Sequence, residues 1–130
     1  MTTRRRLLAL LGLAPIAPVA AAAPSRARPA EPVKLLWTRV NGEDYYDMRA
    51  SLPTLSGGDT VTLRREPDNL YDKRAIEVLD AAGRKLGYVA RIDNPALARM
   101  MDAGERFRAT VSRVQRYPMD VRLDVEWLRG

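Results

Sequence analysis

The sequence predicts a mainly β domain, a small closed or nearly closed barrel of about six strands with one short α-helix at about 94–103. Three observations predict it. Short apolar runs, several with a period of two, recur between residues 33 and 128. Turn residues separate them, and one segment alone, near 94–103, has helical spacing with a start and a stop signal. An open two-layer sheet of this size would leave edges exposed, so closure is the economical arrangement.

The elements follow in order. Val33–Val40 is the first strand, with Leu35, Leu36, Trp37 and Val40 apolar, and Gly42 marks a bulge or bend ahead of Tyr45 and Tyr46. Leu52–Asp59 (LPTLSGGD) reads as a turn-rich loop. Ser51, Thr54 and Ser56 have no base beside them in sequence and read as loop hydroxyls, not nucleophiles. Thr60–Arg65 is the second strand, burying Val61 and Leu63 on one face. Ala75–Leu79 and Lys85–Ala90 flank Asp80-Ala81-Ala82-Gly83, a hairpin connection.

The helix comes next. Asp93 or Asn94 is its expected cap, Pro95 takes the first helical position and Gly104 stops it. Leu97, Met100 and Met101 fall at i, i+3, i+4 and lie against the barrel. Phe107–Val114 and Val121–Leu128 are strands joined at Tyr117-Pro118. In the last, Val121, Leu123, Val125 and Trp127 alternate with Arg122, Asp124 and Glu126, one face buried and one wet.

The chain has 130 residues, enough for one small domain. Part of the length reads as targeting. Arg4–Arg6, an apolar run over Leu7–Ala14 and the small residues up to Ala23 make a signal peptide over residues 1–23, resembling a twin-arginine signal as well as an ordinary one. Pro15 and Pro18 interrupt the apolar run, which argues against a retained transmembrane span. Residues 24–34, with three prolines, read as a linker, and 35–130 as the barrel domain. Export to the periplasm or outside the cell is the expected location.

Net charge is +6 for the whole chain. Residues 1–23 hold three arginines and no acid, so 24–130 keep 19 basic against 16 acidic residues, a net +3. That is mildly basic, short of the footprint of an obligate duplex binder. With no Cys and no His, disulfides, thiolate catalysis, a Ser-His-Asp triad and the usual zinc sites are excluded. No phosphate-binding loop of the G-x-x-x-x-G-K-[ST] kind is present. We therefore expect a non-catalytic module with no cofactor and no metal; an all-carboxylate site of Asp68, Asp72 and Asp80 is the one conceivable metal cluster.

The most informative stretch is Leu63-Arg64-Arg65-Glu66-Pro67-Asp68-Asn69-Leu70-Tyr71-Asp72-Lys73-Arg74-Ala75-Ile76-Glu77-Val78. A strand runs into a polar loop whose Pro, Asp and Asn favour a turn that bonds its own backbone, then out into another strand. The series resembles the HIRAN signature, roughly L-x-R-E-P-x-N-x-Y-D-x-x-A-I-x-V. Gly83-Arg84-Lys85-Leu86-Gly87-Tyr88-Val89 is similar to that family's G-x-x-(L/V)-G-Y-(V/I), and the 94–104 helix follows. Tyr45-Tyr46 resembles the paired tyrosines that end the family's first strand. The resemblance covers about 40–128.

That resemblance implies an OB-like or SH3-like barrel and, as the family's best-characterised use, the holding of single-stranded DNA at a free 3′ end. It implies Tyr45 and Tyr46 for stacking, Asn69, Tyr71 and Asp72 for the terminal nucleotide, and Tyr88 as a weaker addition. Stacking suits any base, and a carboxylate accepts a hydrogen bond from a terminal hydroxyl that an internal phosphodiester lacks. Arg64, Arg65 and Arg74, with backbone amides near Pro67–Asn69, are candidates for phosphates. One departure stands out: Glu43 and Asp44 precede the tyrosine pair, where members that bind DNA ends can carry a basic residue.

Each residue also has a structural reading. Tyr45 and Tyr46 suit alternate faces of a strand, and Tyr71 suits the core. Asp72 suits a loop cap, Asn69 a left-handed turn position, and Arg64 and Arg65 suit solvated strand ends. Two partner classes remain open at this stage: single-stranded nucleic acid held by its 3′ end, or an envelope protein, peptide or small ligand in the same pocket.

Overall fold

Alternation decides which side chains face inward. Val61, Ile76, Val78, Leu86, Val89, Val111, Val121, Leu123 and Val125 are all buried, and together they fill a single core. The computed structural model describes residues 31–42 and 46–129. The expected signal peptide lies outside the described residues, as do Glu43, Asp44 and Tyr45. Six strands form: β1 (Val33–Asn41), β2 (Thr60–Arg65), β3 (Ile76–Leu79), β4 (Lys85–Val89), β5 (Phe107–Arg116) and β6 (Met119–Trp127). Two short helices accompany them, α1 (Met48–Ser51) and α2 (Asn94–Asp102).

The strands close into an antiparallel, OB-like barrel in the order β1-β4-β3-β2-β5-β6. β1 serves two neighbours. Its first seven residues pair with β6, and its last two, Val40 and Asn41, pair with Val89 and Tyr88 of β4. The β2–β5 seam rests on Thr60↔Thr110 and Val61↔Ala109. Register slips by one residue at three places: β1 at Lys34/Leu36, the β3–β4 pair at Val78/Leu79 and β5 at Val111/Arg113. Each slip changes which residues share a face.

Three expectations are corrected. The segment before β2 is not all loop: α1 and a single 3₁₀ turn, Leu52–Thr54, occupy it and bury Met48, Ser51 and Leu52. Pro53 sits second in that turn, where its missing N–H loses no needed hydrogen bond. Ser51 is accordingly no loop hydroxyl, because its Oγ donates to the Asp80 carboxylate at 2.7 Å in the interior. Finally, neither candidate cap caps α2. Asp93 holds the N-cap position, but its carboxylate accepts from the buried Thr38 hydroxyl at 2.8 Å, and the Asn94 amide turns away to Asp72. Both polar groups are drawn into contacts between elements.

On α2 the buried residues are Asn94, Leu97 and Ala98, with Met101 packed against the core edge and Met100 half-buried. Among the described residues no helix is long and apolar enough to cross a membrane.

Candidate functional site

The loop between β2 and β3 is built on its own polar groups. Glu66 N donates to Ala75 O at 3.0 Å, Asn69 N to Glu66 O at 3.1 Å and Ala75 N to Asp72 O at 3.1 Å, which closes the loop at its base. Asn69 Oδ1 accepts the amides of Tyr71 at 2.8 Å and Asp72 at 3.0 Å, an Asx-type turn. Its role is hydrogen bonding and not a left-handed backbone, since all positive-φ residues among those described are glycines. Its Nδ2 donates to Glu66 Oε1 at 2.7 Å and to the Tyr88 hydroxyl at 3.2 Å.

Tyr88 is the hub of the wall opposite. Its hydroxyl accepts from Lys85 Nζ at 2.6 Å and donates to Glu66 Oε1 at 2.7 Å. The Lys85 ammonium lies 4.5 Å from the Tyr46 ring centroid and 4.3 Å from that of Tyr88, and the two rings meet edge-on with centroids 5.6 Å apart. Burial opposes the Lys85 charge, but the Tyr88 bond and the Glu66 carboxylate outweigh it and hold the ammonium above its ordinary pKa. Burial, aided by Glu66, pushes the Tyr88 phenol up to about 12, so it remains a donor at neutral pH. For Glu66 burial again works against the charge, yet bonds from Tyr88 and Asn69 and the Lys85 charge keep its carboxyl below the usual range.

Asp72 sits at the floor. Oδ1 accepts the Arg74 amide at 2.9 Å, Oδ2 accepts Asn94 Nδ2 at 2.8 Å, and Arg91 Nε stands 3.5 Å from Oδ2. Burial raises its pKa less than these three partners lower it, so it is ionised at neutral pH. Ionised, it has about four lone-pair sites and can accept further hydrogen bonds.

Two glycines make room. Gly42, at φ +90°, has no Cβ where one would lie 3.2 Å from Tyr46 Cε2. A Cβ on Gly87 would fall 2.2 Å from the Asn41 carbonyl oxygen, so only glycine lets β4 approach the end of β1 this closely. The outcome is one concave pocket of about 240 Å³, lined by Asn41, Gly42, Tyr46, Asn69, Tyr71, Asp72, Ala75, Tyr88, Val89 and Arg91.

Of the residues singled out in sequence, Tyr46, Asn69, Tyr71, Asp72 and Tyr88 come together at this pocket. Tyr71 is 86% exposed and so is a rim residue, not a core one. Arg64 and Arg65 are not at the pocket. Arg64 binds the buried Glu77, while Arg65 donates to the carbonyls of Ala75 and Lys73 and to Asp102. Asp80 is taken by Ser51, Arg84 and two amides. Among the described residues no three carboxylates converge as a metal requires.

Sequence reasoning missed Lys85, Glu66, Asn94 and Arg91. Lys85 and Tyr88 differ in strand parity, which places them on opposite faces of a regular strand. The slip opposite Val78/Leu79 brings them to one side, and nothing local announces it. Arg91, just past β4, had a usable signal in being the first cation after Tyr88-Val89; its Nη2 donates to the Tyr71 carbonyl at 2.6 Å on the rim.

The profile of the HIRAN domain matches residues 36–127. The chain belongs to the HIRAN family. Its barrel is similar to a crystal structure of a protein from Lactobacillus plantarum, with a TM-score of 0.72 and 37% identity, covering 77% of this chain and 98% of that one. It is also similar to the HIRAN domain of human HLTF, with a TM-score of 0.62 and 27% identity over 71% of this chain and 73% of that one. Among curated proteins it matches the helicase-like transcription factor of Oryctolagus cuniculus, 42% identical over 48 residues. That match takes in 37% of this HIRAN chain and 5% of the relative, so the likeness concerns one module of a far larger protein.

Proposed function

We propose that this HIRAN barrel is a binding module for single-stranded nucleic acid and that its pocket takes a free 3′ end. The observation that carries the reading is the juxtaposition of an aromatic wall, Tyr46 and Tyr88, with an ionised Asp72 that keeps unused acceptor capacity. The rings stack on a base without regard to sequence. Asp72 accepts the terminal hydroxyl, which an internal nucleotide does not offer. Arg91, 70% exposed at the rim, meets the last phosphate. The pocket is smaller than the roughly 300 Å³ at which small-ligand sites begin, which favours the terminal unit of a chain over a whole free ligand. The protein binds and does not turn over its ligand in this reading.

Fluorescence anisotropy of residues 28–130 with a short labelled oligonucleotide, free or phosphate-blocked at its 3′ end, tests this. Binding that favours the free end supports it, and equal affinity for both ends refutes the terminal-hydroxyl contact. The apolar rim supports a second reading. Leu70 and Ile92, 92% and 86% exposed, adjoin Tyr71 and Arg91 and suit an envelope protein or peptide. The absence of oligonucleotide binding at any salt would favour that reading.

We further propose that the chain is exported, on the strength of Arg4–Arg6 and the apolar run after them. Expressed in a bacterial host, it should be recovered from the periplasm with an N-terminus near Ala23–Arg28; full-length protein kept in the cytoplasm would disprove it.

A further inference from the structure

The outer face of β1, β6 and β5 carries three arginines in one lateral row. Arg39 stands directly opposite Arg122, and Arg122 directly opposite Arg113. Like charges placed directly across neighbouring strands are unfavourable for the sheet itself. One carboxylate, Asp120, serves two of them, at 3.4 Å from Arg39 and 2.9 Å from Arg122. Arg113 turns to a neutral group, the Gln115 amide oxygen at 2.6 Å. Arg113 thus brings to the row a positive charge that no described carboxylate balances.

The β5 slip at Val111/Arg113 sets up this row. It turns two successive residues, Ser112 and Arg113, to the outside. Ser112 Oγ accepts the Trp37 indole N–H at 3.0 Å, and the Arg122 guanidinium lies 4.6 Å from the Trp37 ring centroid. Trp37 is thus pinned in place while 51% exposed, an oriented aromatic surface beside the cations.

The row also adjoins the pocket. Arg39 precedes Asn41 by two residues on β1, so both project from the same outer face, and Asn41 lines the pocket. From Arg39 the row runs two inter-strand steps, about 10 Å, to Arg113.

We propose that Arg39, Arg122 and Arg113, with Trp37, form a track for the phosphodiester backbone of the strand whose 3′ end the pocket holds. The track rests on the nucleic-acid reading of the pocket and extends it upstream of the terminal nucleotide. It supplies the sequence-independent, salt-sensitive part of binding, and Trp37 offers one upstream base a stacking surface.

The test compares 5′-labelled oligothymidylates of three and twelve nucleotides, with free or blocked 3′ ends, on the wild type, Arg113→Gln, and Arg113→Gln with Arg122→Gln. The 12-mer should bind wild type more tightly and with a steeper salt dependence than the 3-mer. Each arginine removed should lower the 12-mer affinity several-fold and its salt slope by about 0.7, leaving the 3-mer unchanged. The melting temperature should hold for Arg113→Gln, whose guanidinium bonds only the Gln115 amide, whereas Arg122→Gln also removes the Asp120 ion pair. Titrations are therefore run below each variant's melting transition, which separates lost binding from lost folding. A wild type that binds both lengths equally, or a double variant that keeps the 12-mer slope, overturns the track while the end preference of the 3-mer still supports the pocket. If instead the 12-mer depends on the arginines but blocking the 3′ end changes nothing, the track stands and the pocket reading falls.

Discussion

Asn94 donates from Nδ2 to Asp72 Oδ2 at 2.8 Å across 22 residues of chain. Asn94 is 2% exposed and begins α2, whereas Asp72 lies on the β2–β3 loop at the pocket floor. The carboxylate that lines the pocket is therefore also the anchor between a helix and a loop. Asp72 caps the loop, as its structural reading expects, and lines the pocket at the same time.

Asp72→Ala strands the buried Asn94 amide and the Arg74 N–H. Leaving such a donor unpaired costs about 1–3 kcal/mol, and each kcal/mol is worth about 4–8 °C in a domain of this size. The variant should melt several degrees or more below wild type. At a temperature where it is folded, it should lose the preference for a free over a blocked 3′ end and keep part of the salt-dependent attraction. Asn94→Ala should lose comparable stability but retain the end preference, since the carboxylate stays. Thermal melts and paired anisotropy titrations check both; an unchanged melting temperature for Asp72→Ala would contradict the anchor.

Tyr46→Ala should remove about 1–3 kcal/mol of stacking, tenfold in affinity for every 1.4 kcal/mol. Lys85→Met keeps both rings but withdraws the cation shared between them and a partner of Tyr88. It should weaken binding less than Tyr46→Ala does, because both stacking rings stay in place. Anisotropy titrations of the two variants beside wild type at neutral pH read both effects.

Gly87→Ala places a methyl group 2.2 Å from the Asn41 carbonyl oxygen, against backbone that cannot swing aside. The Val40↔Val89 and Asn41↔Tyr88 pairs must part, with a cost at or above the 1–3 kcal/mol usual for overpacking. A lower melting temperature or insoluble protein is the expected result. Gly57→Ala, whose new atom would lie 3.9 Å from Val111 O, is the control and should stay within about 0.5 kcal/mol of wild type.

Acid should loosen the same region. Burial works against the charges of Glu66, Asp72 and Asp80, but their hydrogen bonds and cations prevail and leave all three pKa values depressed in the folded chain. A depressed carboxyl contributes stability that is complete above its unfolded pKa and is lost as pH falls through the folded one. Stability should be flat from neutral pH down to about 5 and fall progressively below about 4.5. Melting curves across pH 3–7 measure it, and Asp80→Asn should flatten part of the fall.

Period-two patterning was a sound guide where a strand is regular and one face is wet. β2 begins and ends at the residues expected, and β6 buries Val121, Leu123 and Val125 as its alternation demands. The same reading missed α1, because Met48–Ser51 is four residues long and is held by tertiary contacts, among them the Ser51–Asp80 bond, not by local propensity. It also placed Arg64 and Arg65 at a ligand. A strand-end arginine looks identical in sequence whether it meets solvent, phosphate or, as here, the buried Glu77 and the exposed Asp102.

The sequence by itself determined the barrel's strand content, its helix, and the gathering of Asn69, Tyr71, Asp72 and Tyr88 around one pocket, because those are carried by local turn chemistry and a distinctive residue order. Only the tertiary structure decided what surrounds them. Lys85 joins Tyr88, and Arg113 joins Arg122, through one-residue register slips. Asn94 reaches Asp72 because closure brings the start of α2 over the loop. A slip reverses side-chain facing at no visible cost in composition, and barrel closure joins residues far apart in sequence, so neither can be read from a one-dimensional pattern.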